Sequence, residues 1–226
     1  MRPHLRAYDE AADGEKGWAL EPGVTEQVGR SAPLSRVLEY GDAFACARAE
    51  FLADGTLDMQ SLAEALAVSR ATLYRVVGNR DRLLGDVIWD LGAHTLERAV
   101  RETPADATGI DRIIETSRRF NEYVVTFQPL RMFLRTEPLT AFRVLFSPAG
   151  RVHERAVEAW RGMLQRSAER GEIDLPFDVD RLAYVLVRTG ESMLYADLIG
   201  GREPDIDLAA LTQRAVLRAG ETDGNI

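Results

Sequence analysis

The sequence lacks the features that mark exported, membrane-spanning and disulfide-stabilised proteins. Its 226 residues include one cysteine, Cys46, which excludes an internal disulfide and fits a reducing cytoplasm. No run approaches the ~18 apolar residues of a membrane span. The N-terminus has no apolar signal core, so we expect a cytoplasmic protein. We interpret Cys46 as a small packed hydrophobe, with a redox-sensing role as the alternative.

Motifs for catalysis, metal binding and cofactor binding are also missing. The three histidines, His4, His94 and His153, are far apart and lack metal-ligand spacing. No Ser-His-Asp order, glycine-rich phosphate loop or pair of carboxylates stands out. We therefore expect neither an enzyme nor a bound metal or cofactor. The alternative, a helical enzyme, would need titratable groups that converge in a pocket.

Acidic residues outnumber basic ones overall, but one segment of the chain is locally basic. The formal net charge is −8, and Lys16 is the one lysine among many arginines. An acidic chain has weak non-specific affinity for DNA, which argues against a general nucleic-acid coat protein. Yet the segment from Ser69 to Arg82 holds four arginines and one aspartate. A local basic face on an acidic chain is typical of a targeted DNA-binding protein.

Hydrophobic spacing predicts an all-α chain of about nine helices. We expect a tail at residues 1–33, a three-helix DNA-binding domain at 34–79, and a larger ligand-binding and dimerisation domain at 80–226, which a linking fourth helix begins. The tail carries turn residues and six carboxylates against four bases. We interpret it as mobile rather than as a basic arm. Three of the longer predicted helices span residues 35–53, 148–170 and 178–199.

Residues 58–82, DMQSLAEALAVSRATLYRVVGNRDR, predict a short helix, a tight turn and a second short helix. Asp58 and Ser69 are good N-caps, one for each helix, and Gly78 ends the second. The inward positions of the second helix would be Leu73, Val76 and Val77. This layout is typical of a helix-turn-helix, whose second helix presents its N-terminal residues to the major groove.

The outward side chains of the second helix have the chemistry of a nucleic-acid surface. Arginine binds guanine bidentately, and alanine or the threonine methyl group can contact the thymine methyl group. Hydroxyl and guanidinium groups suit phosphate oxygens, which fix position but not sequence. The side chains that suit phosphate oxygens are the hydroxyls of Thr72 and Tyr74 and the guanidinium of Arg80. The alternative is a solvated corner of a helical bundle that carries a few arginines.

The same segment resembles the TetR family of repressors over roughly residues 36–90. The matching residues are Leu62-Ala63, Ala67-Val68-Ser69, Thr72-Leu73-Tyr74, Asn79-Arg80 and Leu83-Leu84. The resemblance implies base-reading roles for Gln60, Arg70, Ala71 and Arg75. It implies phosphate contacts for Thr72, Tyr74 and Arg80, and the helix cap Ser69 completes the predicted DNA-binding set. The family usually has glycine at the position of Ala67, an aromatic at Val77 and lysine at Arg80.

A second, narrower resemblance lies near the C-terminus. Residues 187–197 (VRTGESMLYAD) and 201–205 (GREPD) are similar to the C-terminal domain of QsdR-type regulators. This resemblance implies lactone-like signals or related catabolites as ligands.

Large apolar side chains of the middle helices predict a small-molecule pocket, since such sites are mostly apolar with few polar anchors. Arg188, Glu191 and Tyr195 form a polar stripe on an otherwise apolar helix. They would serve either the pocket or an ion pair at a dimer seam. The predicted ligand-binding residues are Phe120, Tyr123, Phe127, Met132, Phe133, Phe142, Trp160, Met163, Arg188, Glu191 and Tyr195.

A two-fold operator requires a protein dimer with recognition helices ~34 Å apart. We expect the last two helices to form the homodimer interface, as they do in the resembled family. Gly190 lies in mid-helix, where glycine costs about 1 kcal/mol relative to alanine. We therefore expect a close helix approach at Gly190, either across the dimer or within one subunit.

Together these features predict a ligand-responsive, dimeric, DNA-binding transcriptional regulator. We expect a repressor that a small apolar or lactone-like effector releases from double-stranded operator DNA by tilting the fourth helix. The alternative is a helical dimeric adaptor that binds other proteins and not DNA.

Overall fold

The computed structural model describes residues 37–219, which form eleven α-helices and no strand. The predicted all-α class is confirmed. The predicted tail at residues 1–33 lies outside the described residues. The helices are α1 (Tyr40–Asp54), α2 (Met59–Ala65), α3 (Arg70–Val77), α4 (Arg80–Glu102), α5 (Gly109–Thr126), α6 (Gln128–Thr136), α7 (Pro138–Phe146), α8 (Val152–Glu169), α9 (Val179–Leu194), α10 (Ala196–Gly200) and α11 (Ile206–Arg218).

The helix count and two helix limits differ from the prediction. The helix expected over residues 178–199 divides at Tyr195, whose backbone leaves helical geometry (φ −111°, ψ 30°), so that α10 is separate. The helix expected from residue 148 begins at Val152, because Arg151 before it is left-handed (φ 59°). The first helix begins at Tyr40, and its predicted start, Ser35, lies outside the described residues.

Side-chain caps set the beginnings of the helix-turn-helix as the sequence indicates. The Asp58 carboxylate accepts hydrogen bonds from the backbone N–H groups of Gln60 and Ser61. The Ser69 hydroxyl accepts from the N–H of Thr72 (3.1 Å). Each cap satisfies donors that the first turn of a helix leaves without partners. Both predicted N-caps are thus confirmed.

Two groups of buried side chains form the core. The first fills α1 to α4 and continues into α6 and α7, where Phe51 packs edge-on against Phe133 with ring centroids 5.9 Å apart. The second lies between α5, α8, α9 and α11 and includes Trp160, Leu164 and Leu186. The three N-terminal helices therefore share a core with α4, α6 and α7, in which α1 packs on α6 and α4 packs on α7.

Helix α4 connects the two regions and is held tightly near its beginning. A side chain on Gly85 would bring its Cβ within 2.0 Å of the carbonyl oxygen of Gly150, so the α7–α8 connection lies directly on α4. The same helix continues to the second region, where it packs along α5. Among residues 37–219, no helix is both long and apolar enough to cross a membrane.

The cysteine packs as a hydrophobe. Cys46 is a free, half-buried thiol on α1 that contacts the first core group. Burial, and then the charge of Glu50, raise the pKa of the thiol. A raised pKa disfavours the reactive thiolate, so the packing interpretation is the better supported of the two.

Candidate nucleic-acid interface and ligand cavity

The α2–α3 segment presents its polar side outward. Leu73 and Val77 are buried against the core, whereas Arg70, Ala71 and Arg75 on the other side of α3 are exposed. Within residues 37–219, neither arginine takes part in an ion pair; the Arg70 guanidinium lies over the Tyr74 ring, 5.8 Å from its centroid. These guanidinium groups are therefore free to meet an external acceptor.

The remaining predicted DNA-binding residues differ in how their polar groups are used. Gln60 is exposed and donates to Glu64 on the same helix (2.5 Å). The Ser69 and Thr72 hydroxyls are hydrogen-bonded to each other (3.0 Å). Tyr74 and Thr72 are half-buried. Their contacts with DNA stay predictions, since these positions are compatible with a duplex but do not require one.

The turn between α2 and α3 contains backbone strain. Ala67 has a positive φ of 53°, a conformation that glycine adopts far more easily than alanine. Backbone hydrogen bonds from Ala67 to Glu64 and from Val68 to Ala63 hold the turn. The glycine that the TetR family usually carries at this position is thus explained by the turn geometry.

Arg80 is placed differently from the prediction. Its Nη1 and Nη2 atoms donate to the two carboxylate oxygens of Glu137 (2.7 and 2.6 Å), and its Nε donates to the carbonyl of Leu57 (2.7 Å). The predicted phosphate contact is therefore not supported by this arrangement. Sequence reasoning missed the pair, because the partner lies 57 residues away at the α6–α7 junction.

The Glu137 carboxylate is held by more than the arginine. The Thr56 hydroxyl also donates to it (2.7 Å). Burial alone would raise the pKa of Glu137, but the hydrogen bonds from Arg80 and Thr56 outweigh it and leave the pKa below its usual value. The carboxylate is consequently ionised at neutral pH.

A cavity of about 350 Å³ lies between α4, α5, α8, α9 and α11. Its wall is mainly apolar, and it borders both core groups. Six of the eleven predicted ligand-binding residues line it: Phe120, Tyr123, Phe127, Trp160, Glu191 and Tyr195. Their geometry suits a ligand site, and ligand binding by them stays a prediction.

The other five predicted pocket residues lie elsewhere. Phe133 fills the core against α1, and Met132 and Phe142 on the outer faces of α6 and α7 are exposed. Met163 faces a separate open groove between α4, α5 and α8. Arg188 is exposed and lies over the Tyr184 ring, 5.7 Å from its centroid. The structure places these five residues outside this cavity, because helical spacing does not tell which neighbour each apolar face contacts.

Glu191 has a closer partner than Arg188, the partner that the polar stripe suggests. Its carboxylate oxygens lie 2.9 and 3.0 Å from Nδ1 of His153 on α8, whereas Arg188 is 3.6 Å away. Burial raises the pKa of Glu191, and the bond to His153 opposes this only in part. Glu191 lines the cavity, and its partner His153 belongs to the same subunit.

A buried polar cluster on the cavity wall was missed by sequence reasoning. The Ser117 hydroxyl donates to Oε1 of Gln213 (2.8 Å), whose Nε2 donates to the Leu186 carbonyl (3.0 Å). One turn along α5, Asn121 is only 4% exposed, and its Nδ2 has no hydrogen-bond partner among the described residues. A signal existed, because Ser117 and Asn121 are polar residues on the buried face of an amphipathic helix.

Gly190 belongs to the same cluster. A Cβ at this position would lie 2.9 Å from Nε2 of Gln213, so the glycine makes room for a side chain of its own subunit. Of the two explanations offered for Gly190, the structure supports close packing within one subunit.

Comparison with known proteins gives two kinds of match. Residues 108–218 match the family described as the tetracyclin repressor-like C-terminal domain. The transcriptional repressor QsdR of R. erythropolis, from the TetR family, is 30% identical, covers 77% of this chain and 92% of its own, and superposes with a TM-score of 0.72.

A looser match is the TetR family transcriptional regulator PfmR of Thermus thermophilus. It is 20% identical and covers 78% of this chain and 97% of its own, but the TM-score of 0.35 is too low to bear on the fold. A comparison with curated protein sequences gave no match.

Proposed function

Because the chain belongs to the TetR family of transcriptional regulators, we propose that it is a dimeric repressor that a small-molecule effector releases from its operator. Binding to DNA follows from the family. The repressor role, the effector and the residues that carry each step are our proposal. The structural neighbour QsdR is a transcriptional repressor, which favours the same sign of regulation here.

The outward face of α3 is the observation that carries the proposal. Arg70 and Ala71 are exposed at the first turn of α3, and Arg75 follows on the exposed side. We assign base reading to these three residues and to Gln60, since arginine reads guanine and small apolar groups contact thymine. Within the described residues, we assign DNA binding to 37–79 and effector binding with dimerisation to 80–219.

Exposed apolar side chains on the last helices support a dimer. Tyr184 on α9, Ile199 on α10, and Leu208 and Leu211 on α11 are all exposed, and Leu211 has 64% of its surface open to solvent. An apolar face of this kind is typical of a contact between copies. A two-fold dimer through these helices would present the same face from both subunits and pair two α3 helices for an operator.

The cavity supports a small, largely apolar effector with one hydrogen-bond acceptor. Its volume lies near the lower end of the ~300–1,000 Å³ typical of ligand pockets. Phe120, Phe127 and Trp160 supply apolar wall, and Nδ2 of Asn121, which has no hydrogen-bond partner within residues 37–219, supplies a donor. A carbonyl such as that of a lactone-like compound would satisfy this donor, because a buried amide without a partner is costly.

Release from DNA requires that the effector bind the DNA-incompetent state more tightly than the DNA-bound state. Helix α4 begins beside α3 and passes along the cavity from Ile88 to Arg98. We propose that a ligand in the cavity displaces this helix and changes the separation of the two recognition helices.

Fluorescence anisotropy tests the proposal directly. Labelled duplexes from the DNA that flanks the protein's own gene are titrated at several KCl concentrations, with shuffled duplexes as controls. We expect selective binding that weakens as salt rises. Thermal-shift screening of lactones and fatty-acyl compounds then identifies stabilising ligands, which should release the bound duplex. Binding without sequence selectivity or salt dependence would contradict the proposal and favour a protein-binding adaptor.

A further inference from the structure

Three ion pairs surround the beginning of α4 and join it to α7, α8 and the α6–α7 junction. They are Arg80 with Glu137, Asp81 with Arg143, and Asp86 with Arg155. The Arg80 pair also includes the α1–α2 connection, because Arg80 donates to the Leu57 carbonyl and Thr56 donates to Glu137. This four-residue group, Thr56, Leu57, Arg80 and Glu137, is called the clasp below.

The clasp occupies Arg80 in the way that a phosphate would. Both terminal nitrogens of the guanidinium donate to one carboxylate, at 2.7 and 2.6 Å. That bidentate arrangement is the one arginine makes with a phosphate as well as with a carboxylate. A DNA phosphate would have to displace Glu137, which is ionised and is also held by Thr56.

Arg80 is less exposed to solvent than the arginines of α3. The Arg80 and Glu137 side chains are each about three-quarters buried, with 25% exposure. Arg70 and Arg75 are exposed and have no ion-pair partner within residues 37–219. Breaking a partly buried pair leaves a charge without a partner, which costs more than losing a surface pair.

Both helices that leave the clasp lead to the cavity. Phe127 precedes α6 and Leu130 lies in its first turn, and both line the cavity. Glu137 directly follows the last residue of α6. Helix α4 begins at Arg80 and reaches the cavity at Ile88. A displacement of either helix at the cavity is therefore carried to one of the two partners of the ion pair.

We infer that Arg80 is a positioning residue that binds Glu137 and not DNA, and that the clasp fixes the helix-turn-helix to the α6–α7 junction. The inference rests on the proposed DNA-binding function of the α3 face. Arg80 affects operator binding through the orientation of α2 and α3 relative to the rest of the subunit. The phosphate role that the family resemblance implies for this position does not apply to this chain.

Operator titrations over a range of KCl separate the two roles. For the clasp, Arg80→Gln and Glu137→Gln each weaken operator binding by about five- to tenfold, a moderate coupling, and leave the slope of log affinity against log salt unchanged. For a phosphate contact, Arg80→Gln lowers the slope by about 0.9, and Glu137→Gln strengthens binding by freeing the guanidinium. Arg82→Gln, an exposed arginine in the same turn, controls for the loss of one charge.

A thermal double-mutant cycle tests the clasp without DNA. If the ion pair joins the start of α4 to the α6–α7 junction, Arg80→Gln and Glu137→Gln each lower Tm, and the double variant loses less than the sum of the two single losses. The exchanged pair, Arg80→Glu with Glu137→Arg, should regain part of the Tm and of the operator affinity that the single variants lose. This variant keeps the test decisive even if the single variants fold poorly. Additive Tm losses, or an exchanged pair that binds no better than Arg80→Glu, would overturn the inference. If the wild-type chain binds no operator, the proposed function fails, and the cycle still decides whether the clasp exists.

Discussion

The α3 face and the cavity wall use polar side chains in opposite ways. On the α3 side, the caps act over three residues, as between Ser69 and Thr72, and the arginines end in solvent. On the cavity wall, Ser117 bonds Gln213, 96 residues away, and His153 bonds Glu191 over 38 residues. One region leaves its charged groups open to solvent, and the other uses most of its polar groups to hold the subunit together.

This difference separates stability from recognition. Removing an exposed guanidinium from α3 takes nothing from the core, so the folded state should keep its stability while DNA recognition changes. Removing a polar group of the cavity wall leaves buried partners without hydrogen bonds, which destabilises the fold before any effect on a ligand is seen. Substitutions matched in chemistry but placed in the two regions can test this contrast.

The largest effect is expected at Gln213. Gln213→Leu removes both hydrogen bonds of a fully buried amide and leaves the Ser117 hydroxyl and the Leu186 carbonyl without that partner. We expect a loss of about 2–4 kcal/mol in the free energy of unfolding, since each unsatisfied buried group costs about 1–3 kcal/mol. Urea denaturation measures it. Gln165→Leu, on the exposed side of α8, should change stability by less than about 0.5 kcal/mol, and equal losses at both positions would contradict the contrast.

The next effect is expected in recognition, at Arg70. Arg70→Ala should reduce discrimination between the operator and single-base variants by about 1–3 kcal/mol at the base pair that Arg70 reads. Because its side chain is exposed, urea denaturation should show almost unchanged stability. Arg166→Ala, an exposed arginine on α8, serves as the control and should leave both quantities unchanged. A uniform loss of affinity on every duplex would show that Arg70 contacts a phosphate.

The same contrast explains what could be predicted from the sequence. The caps at Asp58 and Ser69 and the inward side of α3 depend on residues a few positions apart, so periodicity and cap preferences identified them. The partners of Arg80 and Glu191, and the bond between Ser117 and Gln213, depend on how distant helices pack. No spacing rule reports such pairs, and for the same reason the sequence did not indicate that Met132, Phe133 and Met163 lie outside the cavity.

The smallest effect is expected at Ala67, and it has the opposite sign. The left-handed conformation (φ 53°) costs alanine more than glycine, so Ala67→Gly should raise the free energy of unfolding by about 1 kcal/mol. Ala65→Gly, two residues earlier at the exposed end of α2, should lower it by about 0.5–1 kcal/mol, because glycine is unfavourable in a helix. Urea denaturation compares the two, and operator affinity should stay the same for Ala67→Gly. A strong loss of affinity with unchanged stability would mean instead that the strained turn itself orients α3, and that the α3 face depends on more than its exposed side chains.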